Sequence, residues 1–266
     1  MIRAAVLGSP ISHSLSPRLH KAAYKYLGIT GEYVSFDVLS GALQNFLSDK
    51  KSEWTGFSLT MPLKEEALAC AEMVDPLVRK IGCGNTLLNR DGKWNLYSTD
   101  VLGFQNSWKA KHVNIPSSVL IIGSGATARS AAAAFDNENT QIQILHRNFN
   151  REPSMQSAVS FSTLEFHAWN EKIDLKKFDL VINTTPKFVL DQLSAEIKDK
   201  PTGVFFDVIY DPWPTEFAKI WASNGGEIIN GVELLIAQGV EQVRIFTEQD
   251  FSTETLTTAL KKEFDL

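Results

Sequence analysis

An α/β protein of two domains, the second built on a doubly wound parallel sheet, is what this sequence predicts. Three observations carry the prediction. Short apolar runs alternate with helical patterns along most of the chain. One run, 119–122, is apolar at every position, as expected of a strand covered by helices on both faces. That run enters Gly123-Ser124-Gly125 and then an alanine-rich helix, the strand–turn–helix order of a Rossmann-type unit.

Taken in order, Ala4-Ala5-Val6-Leu7 is a buried strand closed by Gly8-Ser9-Pro10. Pro17 opens a helix through Leu19, Ala22, Ala23, Tyr26 and Leu27, and Gly28 ends it; proline fits the first turn and glycine the position past the last. Residues 32–38 alternate like a strand, 41–47 read as a helix, and 56–59 form a strand stopped by Pro62. Residues 63–73 predict a helix with Leu63, Ala67, Leu68 and Ala71 on one face. In the second half, strands are expected at 119–122, 142–145, 180–183, 204–208 and 227–229, with a helix running from the glycine-rich turn through Phe135. Residues 151–177 show no clear period. From Gly231 to the end the pattern is helical, with Val232, Leu235, Ile236, Val240, Val243 and Phe246 apolar; periodicity leaves open which domain this face packs against.

Length and composition bound the function. The 266 residues suffice for two cores, and 44% hydrophobic with 21% charged residues is ordinary for a globular protein. A net charge of -5 and the lack of a basic helical stripe argue against nucleic acid. No apolar run approaches the ~18 residues of a membrane span, and the N-terminus lacks a signal peptide's pattern, so a cytoplasmic protein is expected. Cys70 and Cys83 read as free thiols in a reducing compartment. No His, Cys, Asp and Glu spacing suits a metal, and no G-x-S-x-G elbow is present. Monomer and homodimer are equally open.

Gly123-Ser124-Gly125-Ala126-Thr127-Ala128 fits the G-x-G-x-x-A dinucleotide loop. Its first glycine permits the turn, its second lets backbone approach a pyrophosphate, and the free N–H groups of the helix start meet the anion. Where an NAD site carries an acid ~20 residues on, this chain has His146-Arg147-Asn148, with Arg151 soon after. A guanidinium pairs with a 2′-phosphate that a carboxylate would repel, so NADP is expected as cofactor.

Oxidising a secondary alcohol requires a group that takes the hydroxyl proton. Lys64, at a helix start, and Asp100, before Gly103, are the candidates; Asp100 also suits an N-cap. Ser14, Ser16, Thr60, Asn85 and Gln238 offer neutral donors and acceptors to a hydroxylated ligand. His13 and His20 read as structural contacts.

These segments, in this order, resemble the shikimate dehydrogenase family over nearly the whole chain. The resemblance rests on Gly8-Ser9-Pro10-Ile11 through His13-Ser14-Leu15-Ser16-Pro17 and His20, on 56–64, on Asn85 and Asp100, on Asn183-Thr184-Thr185-Pro186, on Asp207-Val208-Ile209-Tyr210-Asp211-Pro212, and on 231–238. It implies NADP-dependent reduction of 3-dehydroshikimate to shikimate in aromatic amino-acid biosynthesis. It also implies a substrate domain at 1–103, an NADP domain at 104–235, and C-terminal helices at 236–266 that return to the first domain, with the site in the cleft between domains. Lys64 and Asp100 would be catalytic. Ser14 and Ser16 would hold the substrate carboxylate, with Thr60, Asn85, Tyr210 and Gln238 completing the substrate site. Gly123, Gly125, Ala126, Thr127, His146, Arg147, Asn148, Arg151, Thr184, Thr185, Val208 and Gly231 would line the cofactor. The chain departs from the family where Lys21, Ser58 and Ser98 stand in place of a frequent Asn, and Ala126 in place of a glycine; the two serines keep hydrogen bonding with shorter reach. Alternatives are a quinate/shikimate dehydrogenase using NAD, set apart by pocket shape, and a sensor that binds nucleotide and small ligand without turnover.

Overall fold

A computed structural model describes residues 1–50, 53–197 and 200–266. Two compact units emerge: Met1–Gly103 with Leu235–Leu266, and Phe104–Leu234. The first contains β1 (Ile2–Gly8), α1 (Ser16–Leu27), β2 (Gly31–Asp37), α2 (Leu43–Ser48), β3 (Gly56–Leu59), α3 (Leu63–Cys70), β4 (Met73–Val74), α4 (Pro76–Ile81), β5 (Thr86–Arg90), β6 (Lys93–Tyr97) and the start of α5 (Asp100–Lys109). The second contains β7 (Ser118–Ile122), α6 (Ala126–Ala134), β8 (Gln141–His146), α7 (Glu152–Ala158), β9 (Thr163–Ala168), β10 (Leu180–Asn183), β11 (Val204–Asp207), α8 (Glu216–Ser223) and β12 (Glu227–Ile229). Then come α9 (Gly231–Thr247), which is mostly part of the first unit, and α10 (Thr253–Glu263), wholly within it.

The first unit's sheet runs β2-β1-β3-β5-β6-β4. β1 pairs in parallel with β2 and β3, whereas β5 is antiparallel to both β3 and β6. Its core gathers Leu43, Trp54, Phe57, Leu63, Leu87, Trp94 and Leu96. The β5–β6 hairpin lies outside the strands the hydrophobic runs predict. Its local signal is Asp91-Gly92, both at positive φ (52° and 74°), the geometry that a two-residue hairpin loop favours. The helix expected over 63–73 stops at Cys70: Ala71 turns extended, Glu72 N–H bonds Trp94 O at 3.0 Å, and Met73–Val74 joins β6 as an edge strand. Sheet pairing here overrides helical spacing.

α9 closes this core. A Cβ on Gly56 would lie 2.5 Å from both Leu87 O and the Phe246 ring, so the helix presses directly on β3. The helical stretch after Gly231 is two helices, not one. The break carries Glu248 at φ 51°, and Ser252 caps α10 by accepting from Thr255 N–H.

The second sheet is wholly parallel, ordered β12-β11-β10-β7-β8-β9. Strand order reverses between β7 and β10, and ligands of open α/β sheets bind outside the strand ends at such a point. Its central strands are buried at every residue of β10 and β11, as the three apolar residues that open each require; each ends in a buried polar residue, Asn183 or Asp207. The weakly periodic segment 151–177 folds as α7 and edge strand β9, whose half-exposed side chains blur the period.

Candidate active site

In the first unit, the chain leaves β1 and β3 side by side. A Cβ on Gly8 would fall 2.4 Å from Thr60 Cγ2, which makes glycine obligatory there, and Ser9 N–H donates to Met61 O at 3.0 Å. This brings 9–16 and 60–64 together at one edge of the parallel strands. Thr60 O accepts from Leu63 N–H at 2.9 Å, opening α3, so Lys64 stands in that helix's first turn. Opposite it, Asp100 begins α5.

Lys64 Nζ lies 2.7 Å from Asp100 Oδ2, with side chains only 15% and 8% exposed. Asp100 Oδ1 accepts from Asn85 Nδ2 at 2.8 Å. Both carboxylate oxygens are therefore acceptors, one to a cation and one to an amide. Asn85 Nδ2 also reaches Thr99 Oγ1 at 3.0 Å and Gln238 Oε1 at 3.2 Å. Gln238 projects from α9, where its Nε2 donates to Leu235 O. Asp100 accepts from Lys64 and Asn85 rather than from the helix's own N–H groups, and Thr99 O accepts the helix-opening bond from Gly103 N–H. Ser14 Oγ accepts from Ser16 N–H at 3.3 Å at the start of α1, and Ser16 is buried. Lys64, Asp100, Asn85 and Gln238 are thus joined by hydrogen bonds. His20 is fully buried, stacked on Tyr33 with ring centroids 3.9 Å apart, and burial lowers its pKa to about 3. It is a structural contact, as its context predicts; His13 is exposed.

Tyr33 and Gln242, missed by sequence reasoning, flank Ser58 behind this group. Ser58 accepts from Tyr33 Oη at 2.6 Å and donates to Gln242 Oε1 at 2.7 Å. Beside Thr60, the short serine is held on both sides. Ser98 Oγ, the other serine among the departures, is buried without a hydrogen-bond partner.

In the second unit, Gly123 follows β7 at φ 113°, and a Cβ there would meet Thr184 Oγ1 at 2.5 Å. Thr184 in turn bonds Ile122 O through N–H and Oγ1. The loops after β7 and β10 are thereby fastened at the point where strand order reverses. Arg151 Nη1 donates to Ser124 O at 3.4 Å and lies 3.3 Å from where a Gly125 Cβ would be, so a guanidinium stands over the glycine-rich turn. Arg147 and Asn148 are exposed after β8, while His146 is buried between Phe149 and Phe166. The open glycine turn, the helix start at Ala126–Thr127, two arginines and no carboxylate at 146–151 fit a dinucleotide bearing a 2′-phosphate.

Asn183 and Asp207 order the remaining loops. Asn183 Oδ1 accepts from Thr185 N–H and Oγ1, and its Nδ2 donates to Asp207 Oδ1 at 2.9 Å. Asp207 also accepts from Ile209 N–H and Thr215 Oγ1; burial raises its carboxyl above the usual range, and these bonds oppose the rise. Val208 N–H bonds Asn183 O, and Gly231 packs so tightly that a Cβ would lie 2.5 Å from Val208 O. Tyr210 follows in the same loop, half-buried.

Cys70 and Cys83 are free and buried. Among the described residues, no helix is long and apolar enough to cross a membrane, and no group of His, Cys, Asp and Glu is placed to hold a metal.

Comparison with known proteins follows the same lines. Residues 6–87 match the family model of the shikimate dehydrogenase substrate binding domain. The chain is 32% identical to a shikimate dehydrogenase (NADP(+)) of Ignicoccus hospitalis over 245 residues, 91% of this chain and 92% of that protein. A shikimate 5-dehydrogenase of Thermus thermophilus, solved in complex with NADP(H) and shikimate, matches with a TM-score of 0.83 at 28% identity, over 99% of this chain and 100% of that one. The structure of Mycobacterium tuberculosis shikimate dehydrogenase gives 0.85 at 30% identity, over 98% and 100%. Sequence, fold and site together make this chain a member of the shikimate dehydrogenase family, NADP-dependent oxidoreductases.

Proposed function

We propose that this enzyme interconverts 3-dehydroshikimate and shikimate with NADP, the family's step toward aromatic amino acids, and that Lys64 and Asp100 handle the proton. The observation that carries the reading is the nearly buried Lys64–Asp100 pair held by Asn85, in a chain of this family. When bound, the cofactor supplies the hydride for reduction and receives it in oxidation. Gly123, Gly125, Ala126, Thr127, Thr184, Thr185, Val208 and Gly231 would line it, with Arg147, Asn148 and Arg151 after β8 on the 2′-phosphate side.

This chain's residues supply the rest. In reduction, the proton on Lys64 Nζ moves to the carbonyl oxygen as the C3 hydroxyl forms; in oxidation it returns from that hydroxyl to Lys64. Asp100 orients the hydroxyl and keeps the ammonium in place. Asn85, Thr60 and Gln238 bind the ring hydroxyls, Ser14 and Ser16 the carboxylate, and Tyr210 is assigned to the substrate site. The domain assignment follows: residues 1–103 with the C-terminal helices bind substrate, and the Rossmann-type unit binds NADP. Two free thiols suit a cytoplasmic setting.

The test is NADP-linked oxidation of shikimate by purified protein, followed by nicotinamide absorbance, with quinate and NAD run in parallel. Turnover confined to shikimate with NADP is expected. Comparable turnover of quinate or with NAD would overturn the substrate or cofactor assignment. Binding of NADP without turnover of either acid would overturn the enzymatic reading.

A further inference from the structure

We propose that Gln242, on α9, is a positioning residue for the Lys64–Asp100 pair, acting through Thr86 and the side-chain amide of Asn85. The inference rests on the roles of Lys64 and Asp100 proposed above.

Gln242 is 2% exposed, and the directions of its hydrogen bonds follow from groups that can act in only one sense. The carbonyl of Asn85 accepts only, so the Gln242 atom 3.1 Å from it is Nε2, which also donates to Thr86 Oγ1 at 3.0 Å. Gln242 Oε1 then faces Ser58 Oγ at 2.7 Å and His20 Nε2 at 3.3 Å, and accepts from both. Ser58, having donated, accepts from Tyr33 Oη at 2.6 Å, and neutral His20 carries its proton on Nε2.

The other end is equally determined. Thr86 Oγ1 accepts from Gln242 and therefore donates to Asn85 Oδ1 at 2.9 Å. The amide N–H of Thr99 can only donate, and it points at the same Oδ1 from 2.8 Å. Asn85 Nδ2 is thereby committed to Asp100 Oδ1, which leaves Oδ2 for Lys64. Turning the Gln242 amide over would set its oxygen against the Asn85 carbonyl and its NH₂ against the His20 N–H. The side-chain amides of Gln242 and Asn85 are fully paired, and a buried pairing of this kind specifies one geometry where a half-satisfied one does not. Gln242 does this from one helical turn beyond Gln238, with neither Lys64 nor Asp100 among its own hydrogen-bond partners.

The test is Gln242→Met, which preserves length and removes every bond. Oxidation of shikimate with NADP is expected to lose about ten- to a hundredfold in kcat, as a slight misplacement of reacting groups costs, with KM for shikimate changed less than about twofold. In an Asp100→Asn background the same substitution is expected to cost nothing further, because its route is already cut. Unchanged kcat, or losses that multiply in the double variant, would overturn the proposal. A readout independent of turnover is the side-chain amide of Asn85 in ¹⁵N–¹H spectra: Gln242→Met should shift or broaden it. If the wild type turns over no shikimate, the functional reading falls, and an unmoved Asn85 amide would overturn the positioning role separately. Should Gln242→Met fail to fold, Thr86→Val cuts the same link and is read by the same two measurements.

Discussion

Lys64 and Asp100 are joined at 2.7 Å with little exposure, which makes their chemistry separable from the cofactor binding proposed for the other unit. Lys64→Ala is expected to lower kcat by about 10²–10⁴-fold, the usual worth of positioned acid–base catalysis, while NADP titration by fluorescence stays unchanged; near-normal kcat would exclude the lysine. For the proposed cofactor site, the side chains to test are Arg147 and Arg151. Replacing both by Ala should weaken NADP binding by about 10- to 100-fold, in line with losing charge-assisted bonds worth roughly 1.5–3 kcal/mol, and leave NAD affinity nearly unaltered in parallel titrations. His20 gives a stability test. Burial lowers its pKa from 6.5 to about 3, only partly offset by the bond to Gln242. Between these values the unfolded chain binds a proton that the folded chain refuses. Stability therefore falls as pH drops from about 6.5 toward 3, by at most about 1.4 kcal/mol per unit from this residue. Urea midpoints at pH 7 and pH 4.5 should differ less in His20→Asn than in the wild type; equal differences would show that His20 protonates without unfolding. At this scale the sequence reveals residues whose type and setting point to ligand chemistry: Lys64, Asp100, Asn85 and Gln238. It hides Tyr33 and Gln242, the partners that hold Ser58, because a polar side chain at a helical or strand position carries no sign that tertiary contacts bury it.

Among elements, the Rossmann-type strands are legible because both faces are covered and each begins with three consecutive apolar residues, as in β10 and β11. Edge strands are not: β9 is half-exposed, and two-residue β4 exists only through pairing with β6. The β5–β6 hairpin matters because it delivers Asn85 and Thr86 to the site. Its turn holds Asp91 and Gly92 at positive φ, and Gly92 has open space around it, so a substitution there tests backbone conformation alone. Gly92→Val should cost about 1–2 kcal/mol, the penalty of a left-handed residue with a branched side chain, seen as a lower urea midpoint with kcat nearly intact. Gly56 poses the opposite case. Its φ is ordinary, but a Cβ would collide with backbone at Leu87 O and with the Phe246 ring. Gly56→Ala should therefore cost more than Gly92→Val, toward the upper end of the ~1–3 kcal/mol for overpacking. If Gly92→Val proved the costlier, α9 would not be pressed on β3 as described.

For the whole molecule, chain order and folded units do not coincide. The unit that holds Lys64 and Asp100 is assembled from both ends of the chain, whereas the second unit is one continuous stretch, Phe104–Leu234. Helical periodicity after Gly231 shows an apolar face that must be buried, yet gives no address for it, since either sheet would serve. The address comes from fit: Gly56 and Gly239 are the places where Phe246 and Leu19 approach too closely for any Cβ. Ending the chain after Leu234 removes Ile236, Val240, Val243, Phe246, Leu256 and Leu260, each at most 2% exposed. Burying six such side chains contributes about 9–18 kcal/mol, comparable to or above the roughly 5–15 kcal/mol net stability of a domain. The first unit should then fail to fold, while the second, contiguous and complete in its sheet, keeps its structure. Limited proteolysis of the truncated chain should leave a resistant fragment near 104–234 that still binds NADP and turns over no shikimate. Protection of 1–103 in the truncated chain would mean that the strands and helices of that segment suffice without α9 and α10, and that the C-terminal helices serve the site alone rather than the fold.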